Sequence, residues 1–197
     1  MKINLHKMKI KYFLLALVLS SYSFSLQGQT QTINITKSSV NWLGKKITGQ
    51  HEGAIKIKSG SLEIKNNKIS SGNFIIDMNT ITCSDLEDAG YNQKLVGHLK
   101  SDDFFGVEKF PNAILKIINS SVFLNNVASV KGQITIKGKT EDISFDVTNE
   151  KNTYSAKIEI DRSKFNVRYG STSFFDTLGD KAIDDIFTLN IKLLTNN

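Results

Sequence analysis

The chain is short of several things on which proteins commonly rely, and each shortage removes a class of answer. A single cysteine, Cys83, excludes an internal disulfide framework and any zinc site built from cysteines alone. A single proline, Pro111, excludes a collagen-like or proline-rich low-complexity chain. Only two arginines occur, Arg162 and Arg168, which weighs against nucleic-acid binding. There is no Gly-x-Ser-x-Gly elbow, no P-loop and no dinucleotide fingerprint, so no cofactor is implied. The strongest apolar run, residues 12–19, is far shorter than the roughly 20 residues of a membrane-spanning helix.

What is present begins with a basic start, Lys2, Lys7, Lys9 and Lys11, with no acid among them. The apolar run follows and fades through Ser20, Ser21 and Ser23 into Leu26-Gln27-Gly28. Basic head, short apolar run and small-residue exit form the layout of a secretory signal peptide over residues 1–28. An uncleaved anchor is the competing reading. No cysteine lies near the exit, so no lipid could be attached there. Residues 29–197 then form one domain with no transmembrane span, delivered to the periplasm or secreted.

Removing the leader changes the charge argument. All 19 acids lie beyond residue 28, while four of the 25 basic residues lie before it. The net charge falls from +6 to +2, which leaves no concentrated basic surface for phosphate backbones.

Past residue 28 the chain holds 21 Ile against 11 Leu and 6 Ala, a β-branched excess that favours strands over helices. Periodicity agrees. Val130, Gly132, Ile134 and Ile136 alternate with Lys131, Gln133, Thr135 and Lys137. Ile143, Phe145 and Val147 alternate with polar neighbours, as do Tyr154, Ala156, Ile158 and Ile160, and then Phe187, Leu189, Ile191 and Leu193. Ile55 and Ile57, then Leu62 and Ile64, repeat the pattern earlier. Ser59-Gly60, Asn66-Asn67, Gly138-Lys139-Thr140 and residues 149–152 read as hairpin turns. With segments 40–46, 69–78 and 113–119, the expectation is an all-β fold of about eight antiparallel strands, closed as a barrel or packed as a sandwich. Charged residues on the polar face argue against a membrane barrel, which alternates in the opposite sense.

Two stretches break the rhythm. In residues 84–109, Tyr91, Leu95, His98 and Leu99 fall on one stripe of a short helix, and Phe104-Phe105 and Phe110-Pro111 follow. In residues 169–185, Phe174-Phe175 sit between glycines. Such aromatic-rich loops fold over an opening of the barrel, as a plug or as a ligand gate.

Reactive chemistry is sparse. His51-Glu52 and His98 with Asp102-Asp103 are metal-ligand types without ligand spacing, so no metal is expected. Cys83 reads as a small buried hydrophobe. An enzyme acting on a lipid or a secreted substrate would have to use His98, Asp102 and Asp103. An apolar barrel interior, by contrast, needs no charged group to hold an apolar guest, gaining roughly 25 cal/mol for each Å² of guest surface removed from water. Alternation alone is equally compatible with a solid core, in which case the outer surface would bind a protein or polysaccharide.

The stretch His98-Leu99-Lys100-Ser101-Asp102-Asp103-Phe104-Phe105, continuing to Phe110-Pro111 before a strand, resembles the YceI-like family of bacterial secreted proteins. The hairpin from Lys131 to Thr140, and Asp161-Arg162-Ser163-Lys164-Phe165 leading to Leu178-Gly179-Asp180, are similar to that family's later segments. The resemblance covers roughly residues 32–194. The family's His-Ser pair near its first strand is absent, since Ser38-Ser39-Val40-Asn41-Trp42 has no His. The resemblance implies a lipocalin-like barrel with one short helix and aromatic-rich loops at an opening. It further implies a periplasmic protein that holds a polyisoprenoid, a quinone-type tail or another lipid inside, and the inward apolar alternation, aromatic-rich loops and leader favour a non-catalytic carrier or sequestering role in the cell envelope. On that reading Leu95, Leu99, Phe104 and Phe105 stand at the opening. Ile134, Ile136, Phe145, Val147, Ile158 and Phe187 line the lumen. Arg162 and Arg168 either meet a polar head or brace their loops. The partner is a lipid, not nucleic acid, and a homodimer is left open.

Overall fold

A computed structural model describes residues 28–196. The leader proposed for residues 1–28 therefore lies outside the described residues except for Gly28. Nine strands form one antiparallel sheet: β1 (Gln29–Thr32), β2 (Ser39–Lys46), β3 (Gly49–Lys65), β4 (Lys68–Asp77), β5 (Asn112–Ser120), β6 (Val127–Ile136), β7 (Lys139–Glu150), β8 (Thr153–Asp161) and β9 (Ile186–Leu194). Strands β2 to β9 follow the order β3-β2-β9-β8-β7-β6-β5-β4, and β4 pairs back onto β3. That pairing closes an eight-stranded barrel and removes its edges. The short β1 is an addition. It pairs with residues 61–64 of β3, beyond the reach of β2, and its continuation at Ile33 bridges to Thr195.

The inward faces follow the alternation of the sequence, and Val130, at 0% exposure, anchors the β6 face. The turn residues do what their chemistry allows. Asn66-Asn67 and Lys137-Gly138 carry positive φ at both positions, the geometry that joins two twisted strands in two residues.

One expectation is corrected. Ser59-Gly60 is not a turn, because β3 runs straight through it for 17 residues. The pairing with β4 steps from Ile57↔Ile76 to Ser59↔Ile75, leaving Lys58 as a bulge. A single extra residue swaps the inward parity, so Ile55 and Ile57 face in before it and Leu62 after it. In sequence, a change of parity beside a glycine looks the same as a turn. Gly60 is required there for another reason: a Cβ would lie 2.7 Å from the Phe74 ring.

The seam between β7 and β8 is incomplete. Residues 147–150 pair with 153–156, while the first part of β7 has only β6 as a ladder partner. A 3-10 turn, Arg162–Phe165, packs beside it.

The predicted helix is present as α1, Ala89–Lys100, capped by the Asp88 carboxylate accepting from the Tyr91 N–H. Gly97 sits in it with nothing within 4 Å of where a Cβ would be. Gly97→Ala is therefore expected to stabilise the fold by about 0.5–1 kcal/mol, through helix propensity and a less flexible unfolded chain. Urea unfolding of the two proteins checks this as a higher midpoint at unchanged slope.

Candidate functional site: an apolar tube inside the barrel

The barrel interior is not solid. It holds a cavity of about 180 Å³ whose wall is almost wholly Ile, Val, Leu, Phe and Ala. Phe187 and Leu193, six residues apart on β9, both border it. At about 3.3 Å per residue these two wall positions stand roughly 20 Å apart along the strand, so the cavity is elongated along the barrel.

Its two ends differ. At one end Leu62, Ile69, Phe74 and Tyr154 belong to a tightly buried cluster that also takes in Ile33 of the β1 extension. At the other, half-buried Trp42, Gly44 and Ile183 and exposed Asp184 border the cavity, so this is the mouth. Small residues keep the bore open, notably Ala113 on β5 and Ala156 on β8.

Of the residues expected to face a ligand, Leu99, Phe104, Phe105, Ile134, Ile136, Phe145, Val147, Ile158 and Phe187 lie on the cavity wall. Leu95 does not. It packs against the core from α1 without reaching the wall. Phe104 and Phe105 meet edge to face at 5.0 Å, and Phe105 meets Phe187 at 6.3 Å. Their loop is tied to the β6–β7 turn by the Lys137 ammonium, which donates to the carbonyls of Asp102 (2.8 Å) and Phe104 (2.6 Å). The second aromatic pair is elsewhere. Phe174 lies under the Arg168 guanidinium at 4.6 Å, Phe175 is 49% exposed, and neither borders the cavity. The sequence reading also omitted Trp42, Met78 and Ile81, which line the mouth-side half. Met78 opens a 3-10 turn and Ile81 caps it, beyond the end of the strand alternation.

Arg162 is 2% exposed and borders the mouth end. Its Nε donates to the Asp184 carbonyl, Nη1 to the carbonyls of Val167 and Tyr169, and Nη2 to that of Ile183, all at 2.9–3.0 Å. The Asp185 carboxylate stands 3.4 Å from Nη2, and the Phe104 ring lies 5.4 Å from the guanidinium. Four of the five donors of the fork are taken by backbone carbonyls and its charge is paired with Asp185, so Arg162 braces the chain around it and is not set out to meet a ligand head. Burial pulls its pKa down, while Asp185, Asp161 and Asp184 push it back up. Asp185 is pushed up by burial, but hydrogen bonds from Ser171 and Ser173 and the charge of Arg162 leave it below the ordinary carboxylate value.

His98, Asp102 and Asp103 are not assembled into one site. His98 packs edge-on against Tyr169 (4.3 Å) and Phe104 (5.7 Å), and its Nε2 is buried without a hydrogen-bond partner. The Asp102 carboxylate pairs with Lys109 at 2.5 Å on the surface. The structure instead joins two residues that the sequence reading kept apart, His51 and Cys83, through Asp85. His51 Nδ1 lies 2.8 Å from Asp85 Oδ2, and the Cys83 thiol donates to Asp85 Oδ1 at 3.2 Å.

With the geometry in view, comparison with known proteins decides the family. The model of the YceI-like domain matches residues 31–194. The chain belongs to the YceI-like family. Among solved structures, this YceI-like protein is similar to Burkholderia cenocepacia BcnA, with 26% identity, 83% of this chain and 99% of that chain covered, and a TM-score of 0.67. A polyisoprenoid binding domain from Saccharophagus degradans aligns at 12% identity over 84% of this chain and 97% of its own, with a TM-score of 0.57. The Campylobacter jejuni YCEI protein aligns at 22% identity over 73% and 84%, with a TM-score of 0.52. The last two show the shared fold. A search of curated proteins gives no match. Among the described residues no helix is long and apolar enough to cross a membrane.

Proposed function

We propose that this YceI-like protein binds a single long apolar chain, a polyisoprenoid, quinone-type or other lipid tail, lengthwise in its barrel, and does so without catalysis. The observation that carries the reading is the shape and lining of the cavity: an elongated tube, apolar along its length and closed at one end. A compact guest would leave most of that length empty, and a charged one would lose its hydration with nothing to replace it. Each isoprene-sized unit that enters buries on the order of 100 Å² of apolar surface, for a gross gain of about 2.5 kcal/mol. Several units are needed to outweigh the entropy of association and chain ordering. Long chains are thus favoured over short ones without any specific polar contact. The polyisoprenoid binding domain from Saccharophagus degradans, which shares the fold, supports this choice of guest.

The contacts are assigned to Leu99, Phe104 and Phe105 near the mouth, to Ile134, Ile136, Phe145, Val147 and Ile158 along the bore, and to Phe187. The head group stays at the mouth beside Gly44 and Asp184, outside the tube. The leader read in residues 1–28 supports a cell-envelope location, periplasmic or secreted, for residues 29–197, where such a protein would carry or sequester lipid.

The test is native mass spectrometry of protein purified without detergent, followed by organic extraction. One apolar chain per protein is the expected result. Protein that arrives empty, and that takes up neither a polyprenol nor a long-chain quinone when mixed with either, overturns the reading.

A further inference from the structure

After β4 the chain does not leave the barrel. A 3-10 turn, Met78–Thr80, reverses it, and the Thr80 hydroxyl oxygen accepts from the Lys56 N–H at 2.8 Å. The segment then runs back along the part of β3 that β4 leaves uncovered. The Thr82 N–H donates to the Ala54 carbonyl and the Ser84 N–H to that of Glu52. Gly53 makes this approach possible, since a Cβ there would collide with the Thr82 carbonyl. The same carbonyl accepts from Trp42 Nε1 at 3.0 Å, and Asn92 of α1 holds the carbonyls of Cys83 and Leu86 at 3.0 Å each. Two-residue spacing along this extended segment puts Cys83 and Asp85 on one side of it, facing His51 of β3.

The result is an imidazole, a thiol and a carboxyl from two segments, with one ligand atom of each lying within 4.8 Å of the others. The His51 and Asp85 side chains are 30% and 27% exposed, while Cys83 is buried. The Glu52 N–H donates to Asp85 Oδ1 at 2.8 Å, which orients the carboxylate from behind as outer-shell partners do in metal sites.

We infer that His51, Cys83 and Asp85 form a site for a zinc-type divalent cation, with three protein donors and a fourth position open to solvent. The donor set selects the metal. A thiolate beside an imidazole is too soft for Mg²⁺ or Ca²⁺ and suits Zn²⁺, whose sites with three protein ligands mix N, O and S donors in this way. On binding, the Cys83 S–H bond breaks, the proton leaves to solvent and the sulfur pair goes to the metal; His51 and Asp85 bind as neutral imidazole and carboxylate. The ion fastens the segment that carries Ile81, part of the cavity wall, to β3. The site is independent of whatever occupies the tube.

The purified chain, stripped with a chelator, is titrated with Zn²⁺ by calorimetry and with Co²⁺ by absorption. One equivalent of Zn²⁺ is expected, together with a thiolate-to-cobalt charge-transfer band. Cys83→Ser should abolish the band, and both Cys83→Ser and His51→Ala should weaken Zn²⁺ binding at least 100-fold, beyond the roughly 10–100-fold that a lost outer-shell partner costs. His98→Ala should bind as the parent does. His51 is partly exposed, so His51→Ala keeps the test decisive even if the buried cysteine proves necessary for folding. No saturable one-to-one binding, or binding that survives both His51→Ala and Cys83→Ser, overturns the assignment.

Discussion

Ala156→Phe is expected to abolish uptake of a long apolar chain while leaving the barrel folded. Ala156 lies in the inner part of the bore, nearer the closed end, paired across the sheet with Val147 and Ile191, all three on the cavity wall. A phenyl ring projecting from β8 at that level fills the cross-section of the tube. A chain stopped at that level loses its contacts with the closed end and keeps only those on the mouth side. Affinity for a polyprenol or long-chain quinone should fall at least 100-fold, about 2.7 kcal/mol. Because the ring enters an existing void, the overpacking penalty of a solid core does not apply, and thermal stability should stay level or rise. Intrinsic fluorescence or native mass spectrometry with added guest reads the binding, and circular dichroism reads the fold. Undiminished uptake by a folded Ala156→Phe protein would mean that the guest lies somewhere other than the bore.

Arg162→Met is expected to destabilise the fold by about 3–5 kcal/mol, the range seen when one partner of a buried charged network is removed. Methionine matches the length of the arginine stem but offers no donors. The carbonyls of Val167, Tyr169, Ile183 and Asp184 would all lose the same partner at once, and Asp185 would lose its cation. Arg162→Lys should recover only part of the loss, because one ammonium cannot reach four carbonyls set around a planar fork. Chemical denaturation of the three proteins gives the comparison. A cost below 1 kcal/mol for Arg162→Met would show that water replaces the guanidinium and that the two loops do not depend on it.

How much of this could be read from the residues alone varies with the kind of signal. The strands β6 to β9 and their inward faces were plain, because a period of two is a local property that tertiary structure only has to accept. The helix around Leu95 and Leu99 was legible for the same reason. What failed was whatever depends on one residue too many. The Lys58 bulge reversed the pattern of β3 and imitated a hairpin, and the bulge at Ile118 does the same between Ile117 and Ser120 on β5. The strand β1 escaped notice since Gln29-Thr30-Gln31-Thr32 has no apolar face; its place is earned by an edge of β3 that β2 does not reach. Of the candidate site, the bore was legible and its floor and rim were not. For Arg162 the loop-bracing alternative was legible, but not which carbonyls would converge on it, because that depends on the chain folding back between Tyr169 and Ile183. His51 and Cys83, 32 positions apart, could be joined only by a chain reversal after β4 that no spacing rule encodes.

The half-zipped junction of β7 and β8 has one more consequence. Elsewhere around the circumference, widening the barrel means breaking a ladder of backbone hydrogen bonds, each costing about 1 kcal/mol net. Along the first half of β7 no such ladder to β8 exists, and side-chain packing, including that of a short 3-10 turn, holds the wall shut. Strain from a thicker or branched occupant will therefore concentrate there, as in a garment let out at its one loose stitch, and the girth of the barrel can adapt while the other seams stay intact.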